Sequence, residues 1–300
     1  MSVAAPSPDG PVVRDLGGLR LARFRSGDVV VLLAFVMLAV VVVCALIPEV
    51  LSPQPPNRQE ITLRLRPPAW MPRGDSAHLL GTDQLGRDLL SRVIHGARIS
   101  LVVGFCALLL SGMIGVTIGL LAGYYRGRLD DWIMRLADVQ LAVPYVLLAI
   151  AIIAVIGPSN VNVVLVLAVN GWVVYARLAR GQALSLRERE FIQAYRALGA
   201  TDARIVVRHI LPNLLSAVIV VASLELAGII TLESSLSFLG LGIQPPTVSW
   251  GYMLADGRTY LLGGAWWVVT FPGLAITATI VSINIIADWL LDVLDPRLKI

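Results

Sequence analysis

Long runs of Val, Leu, Ile and Ala alternate along this chain with short polar turns, and six of the runs approach the ~20 residues that carry a helix across a bilayer. They predict spans near 29–47, 99–123, 137–157, 161–178, 214–233 and 266–290. The fold class they define is all-α, a polytopic integral membrane protein with six transmembrane helices. Two interruptions are longer than turns: residues 48–98, and a polar island, SLREREFIQAYRALGATDARIVVRHILPN, at 185–213.

The island carries its own start and stop signals. Ser185 stands three residues before Glu188, the spacing of a reciprocal helix start, so the pattern predicts a helix beginning there. Phe191, Ile192, Tyr195 and Leu198 recur at three- and four-residue steps and make one apolar face, leaving Arg187, Glu190, Gln193 and Arg196 to the others. Gly199 suits the left-handed position that ends a helix, and Thr201 suits the cap of a second one. Pro212 restricts Leu211, which predicts that the second helix stops soon after His209.

With 57% hydrophobic and 15% charged residues, the composition excludes an ordinary soluble domain. Arg14, Arg20, Arg23 and Arg25 precede the first run, which is longer than a signal-peptide core and is followed by no small-x-small site, so it reads as an uncleaved helix. Arginine placement sets the orientation. Arg126, Arg128 and Arg135 lie in one turn and seven arginines between Arg177 and Arg208, whereas GPSN at 157–160 holds none. The two termini and the island are thus expected on the cytoplasmic side. Segment 48–98 is expected outside despite its seven arginines, because long loops follow the charge rule weakly. A net charge of +4 then reflects cytoplasmic arginines beside anionic lipid. Nucleic acid is not implied, since spans flank the island too closely for it to enter a groove. Cys44 and Cys106 fall within predicted spans and read as packing residues without a disulfide.

Several chemistries have no support. Lys299 is the only lysine, so no phosphate-cradling G-x-x-x-x-G-K-[ST] loop exists, and there is no H-E-x-x-H or G-x-S-x-G motif. His78, His95 and His209 are scattered and read as solvated or interfacial rather than as a metal site. No enzyme activity, bound metal or cofactor is expected of this chain.

Outside the spans, seven prolines between Pro48 and Pro72 predict an extended external linker or lid. Leu85, Leu89, Leu90, Val93 and Ile94, beside Arg87, Asp88 and Arg92, then predict an interfacial helix. Inside the fifth span, Glu225 is costly unless it faces a polar cavity or a partner. Glu233, roughly 12 Å farther along a helix, belongs with it as a candidate for the translocation pathway. For Glu225, contact with a substrate amine and pairing with a neighbouring helix stand about even. For Glu233 the structural reading is favoured, because FLGLGIQPP after it suggests a fixed re-entrant turn. Asp288 and Asp292, beside Trp289, read as interfacial anchors.

The island resembles the cytoplasmic signature of bacterial ABC-importer permeases, E-A-A, then Gly, then I-x-L-P. The matching positions are Gln193, Ala194, Tyr195, Gly199, His209, Leu211 and Pro212, of which Gln193, Tyr195 and His209 depart from the pattern. HLLGTDQLGRDLLSRVIHGARISL at 78–101, LESSLSFLGLGIQPP at 232–246, SWG at 249–251 and LDVLDPRL at 291–298 are similar to the branch that imports dipeptides, oligopeptides and, in some members, nickel.

That resemblance implies a type I ABC importer permease fold in three parts. Residues 1–98 hold the N-terminus, first span and external segment; residues 99–290 hold a five-helix core with the coupling segment 185–213; residues 291–300 form a cytoplasmic tail. It implies a second homologous permease, two ATPase subunits that carry the ATP and Mg, an extracytoplasmic binding protein, a peptide substrate, and a home in the bacterial inner membrane. It also implies that the island docks on an ATPase, with Ala194 and Gly199 permitting close approach, Phe191 and Tyr195 anchoring, and Glu190, Asp202 or Arg204 making rim contacts. The island lying on the membrane, with Arg196, Arg204 and Arg208 on lipid phosphates, is the competing expectation. For the external helix, structural anchoring and docking of the binding protein both stand. Nickel is the nearer alternative substrate, disfavoured because no histidine lies in a predicted span. A proton-coupled secondary transporter working through Glu225 is the alternative of a different class.

Overall fold

The computed structural model describes residues 26–294, all helix and connecting chain without strands among them. The helices are Ser26–Leu46 (α1), Pro48–Leu51 (α2), Leu89–Tyr125 (α3), Arg128–Leu141 (α4), Tyr145–Ile156 (α5), Asn160–Arg187 (α6), Glu190–Ala197 (α7), Asp202–Ile205 (α8), Leu211–Phe238 (α9), Trp250–Leu261 (α10) and Trp267–Leu294 (α11). The arginines of the N-terminal segment, Lys299 and the chain beyond Leu294 lie outside the described residues.

Five helical stretches are long and apolar enough to cross a membrane: α1, α3, α6, the run from α8 through α9, and α11. With one bent pair of helices counted as a span, the described residues hold up to six, but the expected third span, 137–157, is not one straight helix. It is two helices, α4 and α5, bent by 92°. Pro144 sets the break, because it restricts Val143 and ends the helical conformation there. α4 leaves Leu129, Trp132, Leu136 and Val139 exposed and fixes its polar side to α6. Asp130 accepts from Arg180 at 2.5 and 2.7 Å, Asp138 accepts from Arg177 at 2.5 Å, and Gln140 accepts from the Trp172 indole at 2.7 Å.

The tightest packing in the core is between α3 and α6. Gly115, Gly119 and Gly123 recur every four residues along α3, and a Cβ on them would lie 2.3, 2.1 and 2.6 Å from the carbonyl oxygens of Trp172, Ala176 and Arg180. Only hydrogen fits there, so the two backbones meet directly. On the same helices Ala107, Leu108, Val166, Leu167 and Tyr175 enter one buried cluster with Ile229, Leu232 and Leu236 of α9.

Segment 48–98 is corrected on two points. No separate interfacial helix covers residues 85–94: α3 starts at Leu89, capped by Asp88, whose carboxylate accepts from the Ser91 amide at 2.8 Å and its hydroxyl at 2.6 Å. His78 is buried rather than solvated, 2.9 Å from the second Asp88 oxygen. Buried Asp83 accepts from the Arg87 amide at 3.0 Å and from its guanidinium at 2.6 Å, while Arg87 also reaches Asp256 of α10 at 3.0 Å. The Trp267 indole at the start of α11 donates to the Thr82 carbonyl at 3.1 Å. The stretch from His78 to Arg92 is therefore a buried polar knot that joins the proline-rich segment to α3, α10 and α11. Cys44 and Cys106 are both free thiols.

Candidate functional site

The polar island enters directly from α6. That helix runs on through Ser185 to Arg187, so the expected start at Ser185 is overturned; the backbone ladder of the span continues past the hydroxyl. Glu188 closes α6 at its C-terminal cap and pairs with Arg126 at 2.7 Å instead of reaching back to Ser185. α7 starts at Glu190, after an extended Arg189.

Helix α7 divides its apolar residues between two environments. Ile192 is fully buried, in a cluster with Leu120 and Tyr124 of α3, Ala183 of α6, Ile205 of α8, Ile210 and Leu214. Phe191, Tyr195 and Leu198 remain 41, 39 and 83% exposed, and Gln193, Ala194 and Gly199 lie exposed beside them. One apolar position holds the helix down and three face outward.

The turn after α7 has a defined geometry. Gly199 has φ +83°, its amide donates to the Arg196 carbonyl at 3.0 Å, and the Ala200 amide donates to the Tyr195 carbonyl at 3.0 Å. This paired closure satisfies the last carbonyls of α7 and needs a residue at home in the left-handed region. Thr201 occupies the cap position of α8, but its side chain makes no capping bond.

The expected stop at Pro212 is also overturned. α8 passes through a π-helical turn, Val206–Ile210, into α9, with Pro212 in the first turn of α9. Proline lacks an amide hydrogen, and the widened turn ahead of it lets the helix continue without that donor. Asp202–Phe238 is consequently one helical run of 37 residues, and the second short helix is the first turn of a span.

Tyr124, on the last turn of α3, ties the pair of short helices together. Its hydroxyl donates to Asp202 of α8 at 2.5 Å and accepts from Arg196 of α7 at 3.2 Å. The bond to Tyr124 raises the Arg196 pKa and so holds its positive charge. The Arg187 guanidinium donates to the Tyr124 carbonyl and lies 5.6 Å from its ring centre. Asp202 is thus engaged within the chain, whereas Glu190 and Arg204 are exposed. Tyr195 and His209 stack with ring centres 3.9 Å apart and planes 24° from parallel. Leu211 is half-buried, and Pro212 is exposed.

The two candidate pathway acids sit differently. Glu225 is half-buried on α9. Glu233 is fully buried, accepting from Ser237 at 2.8 Å and from Ser234 at 3.4 Å, while the Ser237 hydroxyl also accepts the Ile243 amide at 3.1 Å. These bonds anchor the turn after α9. Asp288 and Asp292 are exposed.

Membrane spans bracketing one pinned amphipathic helix and its glycine turn, together with the family pattern that the chain matches, define a type I ABC-importer permease, a membrane component that passes solute. The chain belongs to the family of binding-protein-dependent transport system inner membrane components, whose pattern matches residues 115–300. It is 44% identical over 259 residues to the di/tripeptide transport system permease protein DppC of Pseudomonas aeruginosa, covering 86% of this chain and 85% of that one. It is 41% identical over 274 residues to the dipeptide transport system permease protein DppC of Bacillus subtilis, covering 91% of this chain and 82% of that one. It is 47% identical over 224 residues to the glutathione transport system permease protein GsiD of Pectobacterium atrosepticum, covering 75 and 74%. Among solved structures, a chain of the MetNI methionine ABC transporter in an inward-facing conformation superposes with a TM-score of 0.56 at 18% identity, covering 69% of this chain and 98% of that one. That likeness concerns the fold.

Tyr124, Arg126 and the π-helical turn were not identifiable as parts of the site from sequence. Tyr124 lies 72 and 78 residues from its partners. A run of two tyrosines and two arginines at a predicted span end was the only local signal.

Proposed function

We propose that this chain is one of two permease subunits of a peptide importer, and that the island at 185–213 is where an ATPase subunit docks. The observation that carries this is the divided apolar face of α7. Ile192 fixes the helix to the spans, and Phe191, Tyr195 and Leu198 present apolar surface outside the fold, the pattern of an anchor patch awaiting a protein partner. Ala194 and Gly199 let that partner come close, Gln193 and Glu190 lie on its edge, and Leu211 and Pro212 lead from the hinge into α9. ATP and Mg are then bound by the ATPase, whose closure moves α7 and α8 as one piece and tilts the spans.

Peptides are the substrate class in the names of the relatives above, and an extracytoplasmic binding protein would deliver them to the outer mouth. Glu225 is the pathway residue suited to the amino terminus of a peptide. Glu233 acts instead as an anchor. The N- and C-termini lie with the island on the cytoplasmic side.

Gly199→Asp tests the docking role. A carboxylate-bearing residue must adopt φ +83° at the hinge and stand in the space reserved for the partner. In proteoliposomes holding the full importer, uptake falls to background while the variant still reaches the membrane and ATP hydrolysis loses its response to substrate. Unchanged uptake would remove the island from the coupling path.

A further inference from the structure

Between the hinge and the start of α9 the island forms an open hollow of about 380 Å³, lined by Tyr195, Gly199, Arg204, Arg208 and His209. No acid lines it. Among the described residues neither Arg204 nor Arg208 has a carboxylate within salt-bridge distance; of the island's acids, Glu188 is taken by Arg126, Asp202 by Tyr124, and the exposed Glu190 does not line the hollow. The stacked rings of Tyr195 and His209 give the hollow a fixed wall.

We propose that this hollow is the seat of an acidic side chain of the docked ATPase, so that docking is ionic at the hinge and apolar along α7. The inference rests on the docking reading above and adds the chemistry of the partner's contact. Two guanidiniums sharing one concave space without a counter-charge repel each other, and a carboxylate placed between them relieves that repulsion while gaining charge-assisted hydrogen bonds. Tyr195 and Leu198 border the hollow and belong to the exposed apolar face as well, so one partner surface covers both. A lipid headgroup would satisfy the arginines and leave that face uncovered.

The experiment is the salt dependence of assembly. Purified ATPase subunits are titrated onto the permease pair in nanodiscs of phosphatidylcholine alone and in nanodiscs containing phosphatidylglycerol. Titrations at about 50 and about 400 mM KCl lie either side of the ionic strength at which the Debye length is about 10 Å. The wild-type Kd is expected to rise about three- to ten-fold across that range in both lipids, the size of one or two exposed charge pairs. Arg204→Gln with Arg208→Gln is expected to flatten the rise while binding persists through α7. A double variant with the wild-type slope overturns the inference, as does a slope found only with phosphatidylglycerol, which would assign the arginines to lipid. Absence of ATPase binding to the wild type at any salt overturns instead the docking reading.

Discussion

Tyr124 shows how much one hydroxyl can organise. It joins α3 to both short helices through one donated and one accepted hydrogen bond, each to a charged partner. Removing the hydroxyl takes away both bonds and loosens the hinge without touching its exposed face. Tyr124→Phe is expected to leave the importer assembled and to lower the number of solutes moved per ATP. Paired measurements of uptake and hydrolysis in proteoliposomes check this, and an unchanged ratio would deny Tyr124 its pinning role. Little of this was legible in sequence. Gly199 was, because a glycine following an amphipathic turn has few other reasons to be there, and its φ of +83° agrees. Ser185 misled, since its spacing to Glu188 is that of a helix start, yet the ladder of a long span outweighs one side-chain cap. Tyr195 and His209 are two positions that depart from the permease pattern, and they meet in one stack. His209→Ala is expected to release the Tyr195 ring, read as faster proteolysis after Tyr195 in the free permease, whereas His209→Phe retains protection.

At the scale of elements, hydrophobic runs located five crossing stretches because length and apolarity suffice for a helix in lipid. The bend between α4 and α5 escaped that reading. Averaged over 137–157 the chain is apolar, and a single Pro144 among twenty residues is also tolerated in straight spans. What decides is the pairing of α4 with α6 through Asp130, Asp138 and Gln140, which is long-range information. The glycine row on α3 is different, since a repeat of four was present in the sequence but its partner helix was not. Gly119→Ala puts a methyl carbon 2.1 Å from the Ala176 carbonyl oxygen, which no rotamer can relieve. The expected result is a fall in folded yield and in thermal midpoint in detergent, from a cost of about 1–3 kcal/mol for an overpacked contact. Gly228→Ala, where nothing lies within 4 Å of the added carbon in the free chain, is the matched control.

At the scale of the molecule, the knot around Asp83 holds an irregular proline-rich segment to three helices. Its residues were read as an interfacial helix because Leu85, Leu89 and Val93 have helical spacing; the local bonds of Asp83 to the Leu85 and Arg87 amides instead fold residues 83–87 into a turn. Asp83→Ala leaves Arg87 with Asp256 alone and Arg92 without its 3.4 Å partner. Breaking a buried charge cluster costs about 3–5 kcal/mol. Cleavage by trypsin after Arg64 is expected to accelerate markedly, while Arg58→Gln, which removes only an exposed pair with Glu60, leaves it unchanged.

The first turn of α3 lies in that knot and its last turn holds Tyr124, so one helix of 37 residues, about 55 Å, is gripped at both ends. A stiff rod held so transmits tilt but stores little of it. A shift of Asp88 at one end of the rod therefore also does work at Tyr124, and by reciprocity a load applied at Tyr124 is felt in the knot. The knot and the hinge are then two readings of one mechanical coordinate.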